Sequence, residues 1–234
     1  PDPTPLAAGW RNLDVGLVGA VGRAFGDPAT SVTLYGSGGD IWGSADGFHY
    51  VYKQLDGDGS IVTRLTDHPD ARNWSKAGVM IRENLGGGSR NVFMAATSPF
   101  VNAEGVELNN GVTFQQRTTE GADSVSQHDG VQVGEDDMPV YVRITREDNV
   151  FSAFYSKDGV NWNPHGNVVN LDLSEDVLIG VAATAHNNGI LTENVFENIT
   201  FTGDVSEPLP LSGILQMAPR YVSFGTFPTN SGMQ

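Results

Sequence analysis

Glycine, asparagine and aspartate punctuate this chain at intervals too short for helices, and the runs between them alternate with a period of two residues. Ile61, Thr63 and Leu65 alternate with Val62 and Arg64, the pattern of a strand with one buried face. Phe48–Tyr52 crowds aromatics around Val51 into a strand that is expected to break at Asp56-Gly57-Asp58-Gly59. Further strands are expected at Ala77–Arg82, Asn91–Ala96, Gly111–Arg117, Val140–Arg146, Val150–Ser156, Val177–Ala185 and Asn194–Phe201. No stretch has the pattern of an amphipathic helix. With 29 glycines and 12 prolines the expectation is an all-β chain folded as an antiparallel β-sandwich or jelly roll. One hairpin is specific: Val150–Ser156 enters Lys157-Asp158-Gly159 and leaves as Val160-Asn161-Trp162, with Asp-Gly suited to the turn.

At 234 residues the chain exceeds an average domain, but sandwiches of this size are commonly single, and 39% apolar residues supply a core. Residues 1–9, opening Pro1-Asp2-Pro3-Thr4-Pro5, read as a linker or processed end, 10–203 as the sandwich and 204–234 as a linker and β-prone tail. Glu207-Pro208-Leu209-Pro210 interrupts any strand. Beyond it Leu211, Ile214, Leu215, Tyr221, Val222, Phe224 and Phe227 are too apolar for a solvated linker. Docking onto a neighbouring chain, or the start of a further module, is expected there.

Thirteen basic against 28 acidic residues give a formal charge of −15, with only Lys53, Lys76 and Lys157 as lysines. That balance repels polyphosphate and anionic membranes, so neither nucleic acid nor a lipid surface is an expected partner. No apolar run is long enough to span a bilayer, and no signal peptide opens the sequence; an exported chain is expected to have lost it already. The absence of cysteine removes disulfides, thiol catalysis and cysteine-ligated zinc together.

Several motifs carry a resemblance. Gly39-Asp40-Ile41-Trp42-Gly43, Asp46-Gly47-Phe48-His49-Tyr50-Val51-Tyr52 and Gly57-Asp58-Gly59 come first. Lys76-Ala77-Gly78-Val79-Met80-Ile81-Arg82-Glu83, Tyr155-Ser156-Lys157-Asp158-Gly159-Val160-Asn161-Trp162 and His186-Asn187-Asn188-Gly189 follow in order. Together they resemble the DUF1349-like branch of the concanavalin A-like lectin/glucanase, or laminin-G-like, sandwiches, from about Trp10 to Gly203. The resemblance implies a module attached to secreted, cell-surface or carbohydrate-active bacterial proteins. Pro219-Arg220-Tyr221-Val222-Ser223-Phe224-Gly225-Thr226-Phe227 is similar to the opening strand of immunoglobulin-like repeats in bacterial surface proteins.

Retaining glucanases on such a sandwich place carboxylates on alternate residues of one strand. The pattern Glu-x-Asp-x-Glu is missing, and Glu193 and Glu197 come nearest, so no catalytic residue is expected. Calcium takes six to eight oxygen ligands. A structural Ca²⁺ site is expected from Asp14 near the start and Glu197 near the end, with Asp40 beside Trp42, against the alternative that these carboxylates cap turns. Asp56-Gly57-Asp58-Gly59 is half an EF-hand loop at most and reads as a turn. The Asp-box likeness of Ser156–Trp162 is explained by the hairpin, and five scattered histidines suggest no zinc site. Trp42 and Trp74 lie near turns where a ring stacks on a sugar face; His186 and Asn187 supply polar neighbours. Trp162 reads as core.

The expected function is therefore a non-catalytic extracellular module that binds carbohydrate or another cell-surface polymer. The alternative is a structural subunit of a fibre or surface layer, self-associating through its terminal segments. A glycoside hydrolase is the third reading, without its acidic motif.

Overall fold

A computed structural model describes residues 4–66, 73–98, 100–101, 107–108, 111–127 and 138–209. His68, His128 and the tail from 210 onward, with the docking and second-module expectations placed on it, lie outside the described residues.

Regular structure in the described residues is entirely strand. The elements are β1 (Arg11–Val15), β2 (Arg23–Asp27), β3 (Ser31–Gly36), β4 (Phe48–Leu65), β5 (Lys76–Arg82), β6 (Asn91–Thr97), β7 (Phe100–Val101) and β8 (Glu107–Leu108). They continue as β9 (Val112–Arg117), β10 (Val125–Gln127), β11 (Val140–Glu147), β12 (Val150–Ser156), β13 (Asn163–Pro164), β14 (Val169–Asn170), β15 (Asp176–Thr184) and β16 (Thr192–Ser206). All pairings are antiparallel, which gives the all-β sandwich that the alternation predicts.

The long strand β4 does not stop at Asp56-Gly57-Asp58-Gly59. β15 pairs with its first half as far as Asp56, β11 pairs with its second half from Gly59 onward, and the ladder to β16 slips between Gly203 and Asp204. Gly57 there takes φ +70°, a conformation a β-carbon penalises. The expected turn is thus the irregular step at which β4 passes from one layer to the other. One layer runs β10-β9-β6-β5-β15-β4, with β1 on the far edge of β4; the other is built from β12, β11, β4, β16, β3 and β2.

β11 and β12 lie against β5 and β6, closing the main core between the layers. Leu34, Ile61, Val79, Val92, Phe114, Ile144, Phe151, Val181 and Phe196 are buried there. Each such side chain contributes about 1.5–3 kcal/mol relative to exposure. A second apolar cluster covers the opposite face of the first layer, with Phe48, Tyr50, Tyr52, Met80, Phe93 and Ala182 under Ile41. Every residue of β5 and β6 is accordingly buried, which explains why their sequences do not alternate.

Three boundaries differ from expectation. β16 extends past Gly203 to Ser206. Pro5 bridges to Phe25 and Ala7 N–H donates to the Gly26 carbonyl, so residues inside the expected N-terminal linker line the edge of β2. The β12 hairpin closes through β13, with Tyr155 opposite Asn163, so its loop is wider than an Asp-Gly pair. Trp162 is partly exposed rather than core, with the Arg143 guanidinium 4.3 Å from its ring centre.

The wide loop is held by Asp158. Its carboxylate accepts from the Asn161 and Val160 N–H groups at 2.7 and 2.9 Å, from the Asn161 side-chain amide at 2.7 Å and from the Ser156 hydroxyl at 3.0 Å. These donors, those of Asn161 foremost, hold its pKa well below the usual carboxylate range. A folded-state value below the unfolded one means that the stabilisation is present above the unfolded pKa and is lost as pH falls through the folded one. Asp158→Asn is expected to flatten the acid limb of a stability-versus-pH curve. An unchanged acid limb would contradict this account.

Candidate ligand-binding cleft

Residues 37–47 cross the outer face of the first layer, and a buried charge fixes them there. Asp46 is fully buried, and Arg117 grips it with two bonds, Nη2 to Oδ1 at 2.6 Å and Nη1 to Oδ2 at 2.8 Å. Arg82 Nη1 approaches the same carboxylate at 3.4 Å. Burial lowers the Arg82 pKa, and Asp46 opposes that shift. Arg117 also donates to the Gly43 carbonyl at 2.9 Å and, at 3.4 Å, to that of Trp42. The two arginines therefore set where the Trp42 backbone lies. From sequence they only closed the expected strands Ala77–Arg82 and Gly111–Arg117, and neither was named as a site residue.

Trp42 stands at the mouth of a cleft of about 310 Å³ lined by Asp40, Trp42, Trp74, Lys76, Gln115, Ser126 and His186. Lys76 opens β5 with its side chain only 2% exposed, and its ammonium is paired with Asp40. Burial lowers the Lys76 pKa, while the Asp40 carboxylate pulls in the opposite sense. Asp40 Oδ1 also accepts the Ile41 N–H at 2.7 Å, and His186 Nε2 lies 3.5 Å from Oδ2. Gln115, from β9, is 3% exposed, and its Oε1 has no hydrogen-bond partner among the described residues.

Trp74 and His186 sit just outside the paired ends of β5 and β15, where Lys76 faces Thr184. Both adopt positive φ, 66° and 48°, which is uncommon for residues with side chains and concentrates at ligand sites. The loops are tied together: the Ser75 hydroxyl donates to the Ala185 carbonyl at 2.8 Å. The cleft thus joins two large rings to a floor of fixed donors and acceptors with little net charge. That composition suits a ligand with apolar faces and hydroxyl edges.

Trp42, Trp74 and His186, named from sequence as ligand-binding residues, and Asp40, named as a metal ligand, therefore meet in one cleft. Asn187 is next to it but does not line it; its carbonyl accepts the Ile190 N–H at 3.1 Å. Lys76, Gln115 and Ser126 were not singled out. The signal available was Lys76 itself, a rare lysine opening a strand whose next five residues, Ala77 to Ile81, carry no charge. Gln115 and Ser126 carried none.

The expected calcium ligands do not converge. Asp14 Oδ1 meets His49 Nδ1 at 2.7 Å and accepts the Gly22 N–H, Asp40 is paired with Lys76, and Glu197 with Arg64. Each carboxylate already has its own basic partner. Among the described residues no group of three His, Asp or Glu side chains is placed to hold a metal. Glu193, the other member of the carboxylate pair considered for hydrolysis, accepts from the Tyr35 hydroxyl at 2.7 Å.

No protein-family model matches the sequence, and no curated protein does. Solved structures do match. A functionally unknown protein from Saccharomyces cerevisiae superposes with a TM-score of 0.56 at 19% identity, over 80% of this chain and 92% of that one. A xylan beta-1,4-xylosidase from Bacillus halodurans C-125 gives 0.53 at 13% identity, over 74% of this chain but 32% of the enzyme. The carbohydrate-binding module CBM66 from Bacillus subtilis gives 0.50 at 11% identity, over 86% of this chain and all of the module (100%). At these identities the likeness establishes the fold, a concanavalin A-like jelly-roll sandwich.

Proposed function

We propose that this chain is a non-catalytic carbohydrate-binding module of a secreted or cell-surface protein, with the Trp42–Trp74 cleft as its glycan site. The observation that carries the reading is the pairing of two tryptophans with a buried polar floor in one cleft. The rings supply faces for sugar C–H groups, and the floor supplies hydroxyl partners. Two further facts support it: CBM66 is matched over its full length, and the part of the xylosidase that matches is a minor one. The motif resemblance to the DUF1349-like branch points to the same bacterial extracellular setting. Glu193 and Glu197 are engaged by Tyr35 and Arg64, which favours binding over hydrolysis.

Trp42→Ala and Trp74→Ala are each expected to weaken binding to a glycan array by about 2 kcal/mol, roughly thirtyfold, as for buried aromatic anchors. Melting temperatures should stay close to the parent's, because neither ring belongs to either core cluster. Full retention of glycan binding by both variants would remove the cleft from the account.

A further inference from the structure

The cleft has two polar poles. At one, the Lys76 ammonium carries three donors and, among the described residues, spends one on Asp40. Asp40 Oδ2 beside it remains an acceptor, with His186 3.5 Å away. At the other pole the Gln115 Oε1 is buried and, among the described residues, has no donor. A buried acceptor in this state is stabilised by any ligand that brings it an N–H or O–H group.

The strand register sets the separation of the poles. Lys76 pairs with Thr97 of β6, and Gln115 with Phe93 of the same strand. The two residues therefore stand two strands apart and four residues out of register, about 16 Å between Cα atoms at ordinary strand spacings. Both side chains line the one cleft, so their polar ends face the same small space. A cleft of about 310 Å³ is at the small end of ligand pockets. Both measures match one or two sugar rings rather than a long chain segment.

Charge narrows the class. Asp40 and Lys76 cancel at the first pole, Gln115 is neutral at the second, and the whole chain carries −15. A carboxylate on the ligand would face Asp40 as well as Lys76, whereas a hydroxyl accepts from Lys76 and donates to Asp40 at once.

Resting on the carbohydrate-binding reading above, we propose that the cleft selects one or two residues of a neutral glycan. One hydroxyl bridges Lys76 and Asp40, and another donates to Gln115 Oε1. Gln115 is then a specificity-determining residue.

The test uses the whole chain and matched panels of neutral and uronic-acid-containing oligosaccharides of two to six residues, on an array and then by calorimetry. Neutral members are expected to bind, with affinity levelling off beyond two residues, and their acidic counterparts to bind more weakly. Gln115→Met keeps the side-chain length but removes the acceptor. Its affinity for the best neutral ligand should fall about three- to tenfold, the value of one hydrogen bond. Its melting temperature should be unchanged or higher, because among the described residues Oε1 has no bond to lose. A structural role for Gln115 would instead lower the melting temperature and leave affinity alone. Tighter binding of acidic ligands, or undiminished affinity in Gln115→Met while Trp42→Ala still weakens binding, would overturn this inference and spare the carbohydrate-binding one. Absence of binding to every glycan would sink both.

Discussion

Asp46→Ala is expected to cost about 3–5 kcal/mol of folding stability, the range for stranding a buried charge by removing its partner. Two guanidiniums, Arg82 and Arg117, are fully buried around this one carboxylate. Both are closed off from solvent in the folded chain, so removing the carboxylate leaves two buried guanidiniums without their anion. The same deletion loosens residues 37–47, since Arg117 also holds the Gly43 carbonyl. Loss of glycan binding should therefore accompany the loss of stability. Urea unfolding of the variant, read together with binding at a temperature where it is still folded, checks both. A stability loss below about 1 kcal/mol would show that the arginines find other partners, and would contradict the account of how Trp42 is placed.

Gly38→Ala should be nearly as damaging, by a different route. Gly38 has φ +124°, and a β-carbon there would lie 1.8 Å from the Gly47 carbonyl oxygen, a backbone atom at the other end of the same loop. Backbone strain and overpacking each cost about 1–3 kcal/mol, so a loss of roughly 2–6 kcal/mol is expected. The loop can relieve the clash only by lifting, which carries Asp40 and Trp42 away from Lys76 and Trp74. Gly39→Ala is the matched control: a β-carbon there meets nothing within 4 Å, and a near-parental melting curve is expected. Equal effects at the two positions would show that the loop does not depend on the close approach at Gly38.

The parts of the fold visible in the sequence were those where burial on one face imposes alternation or where turn residues bracket an apolar run. β5, β6, β11, β12 and β15 were placed within a residue or two for that reason. β1, β2 and β3 were passed over. Arg11-Asn12-Leu13-Asp14-Val15 carries Asn and Asp, and Arg23-Ala24-Phe25-Gly26-Asp27 carries Gly and Asp, residues that local propensity assigns to turns. Their strand state comes from pairing with β4 and β3, partners that a local reading does not see. At the cleft, tryptophans near turns were legible because a large ring beside a turn is unusual. Gln115 was illegible, since nothing local distinguishes a strand glutamine facing solvent from one buried without a donor. The calcium expectation failed to converge because the chain order of Asp14, Asp40 and Glu197 says nothing about the side chains that claim them.

The reach of β16 has a consequence in time. Thr192 pairs with Gly36 and Ser206 with Gln54, so the last described strand completes ladders begun by some of the first. During synthesis, β3 and the far edge of β4 wait for a partner more than a hundred residues downstream, presenting unpaired edges of the kind that recruit other chains. Topologies dominated by such distant pairings close slowly, since the entropy of a long loop is spent before its contacts form. The sandwich therefore closes only once β16 has been made, and not while the strands before it emerge.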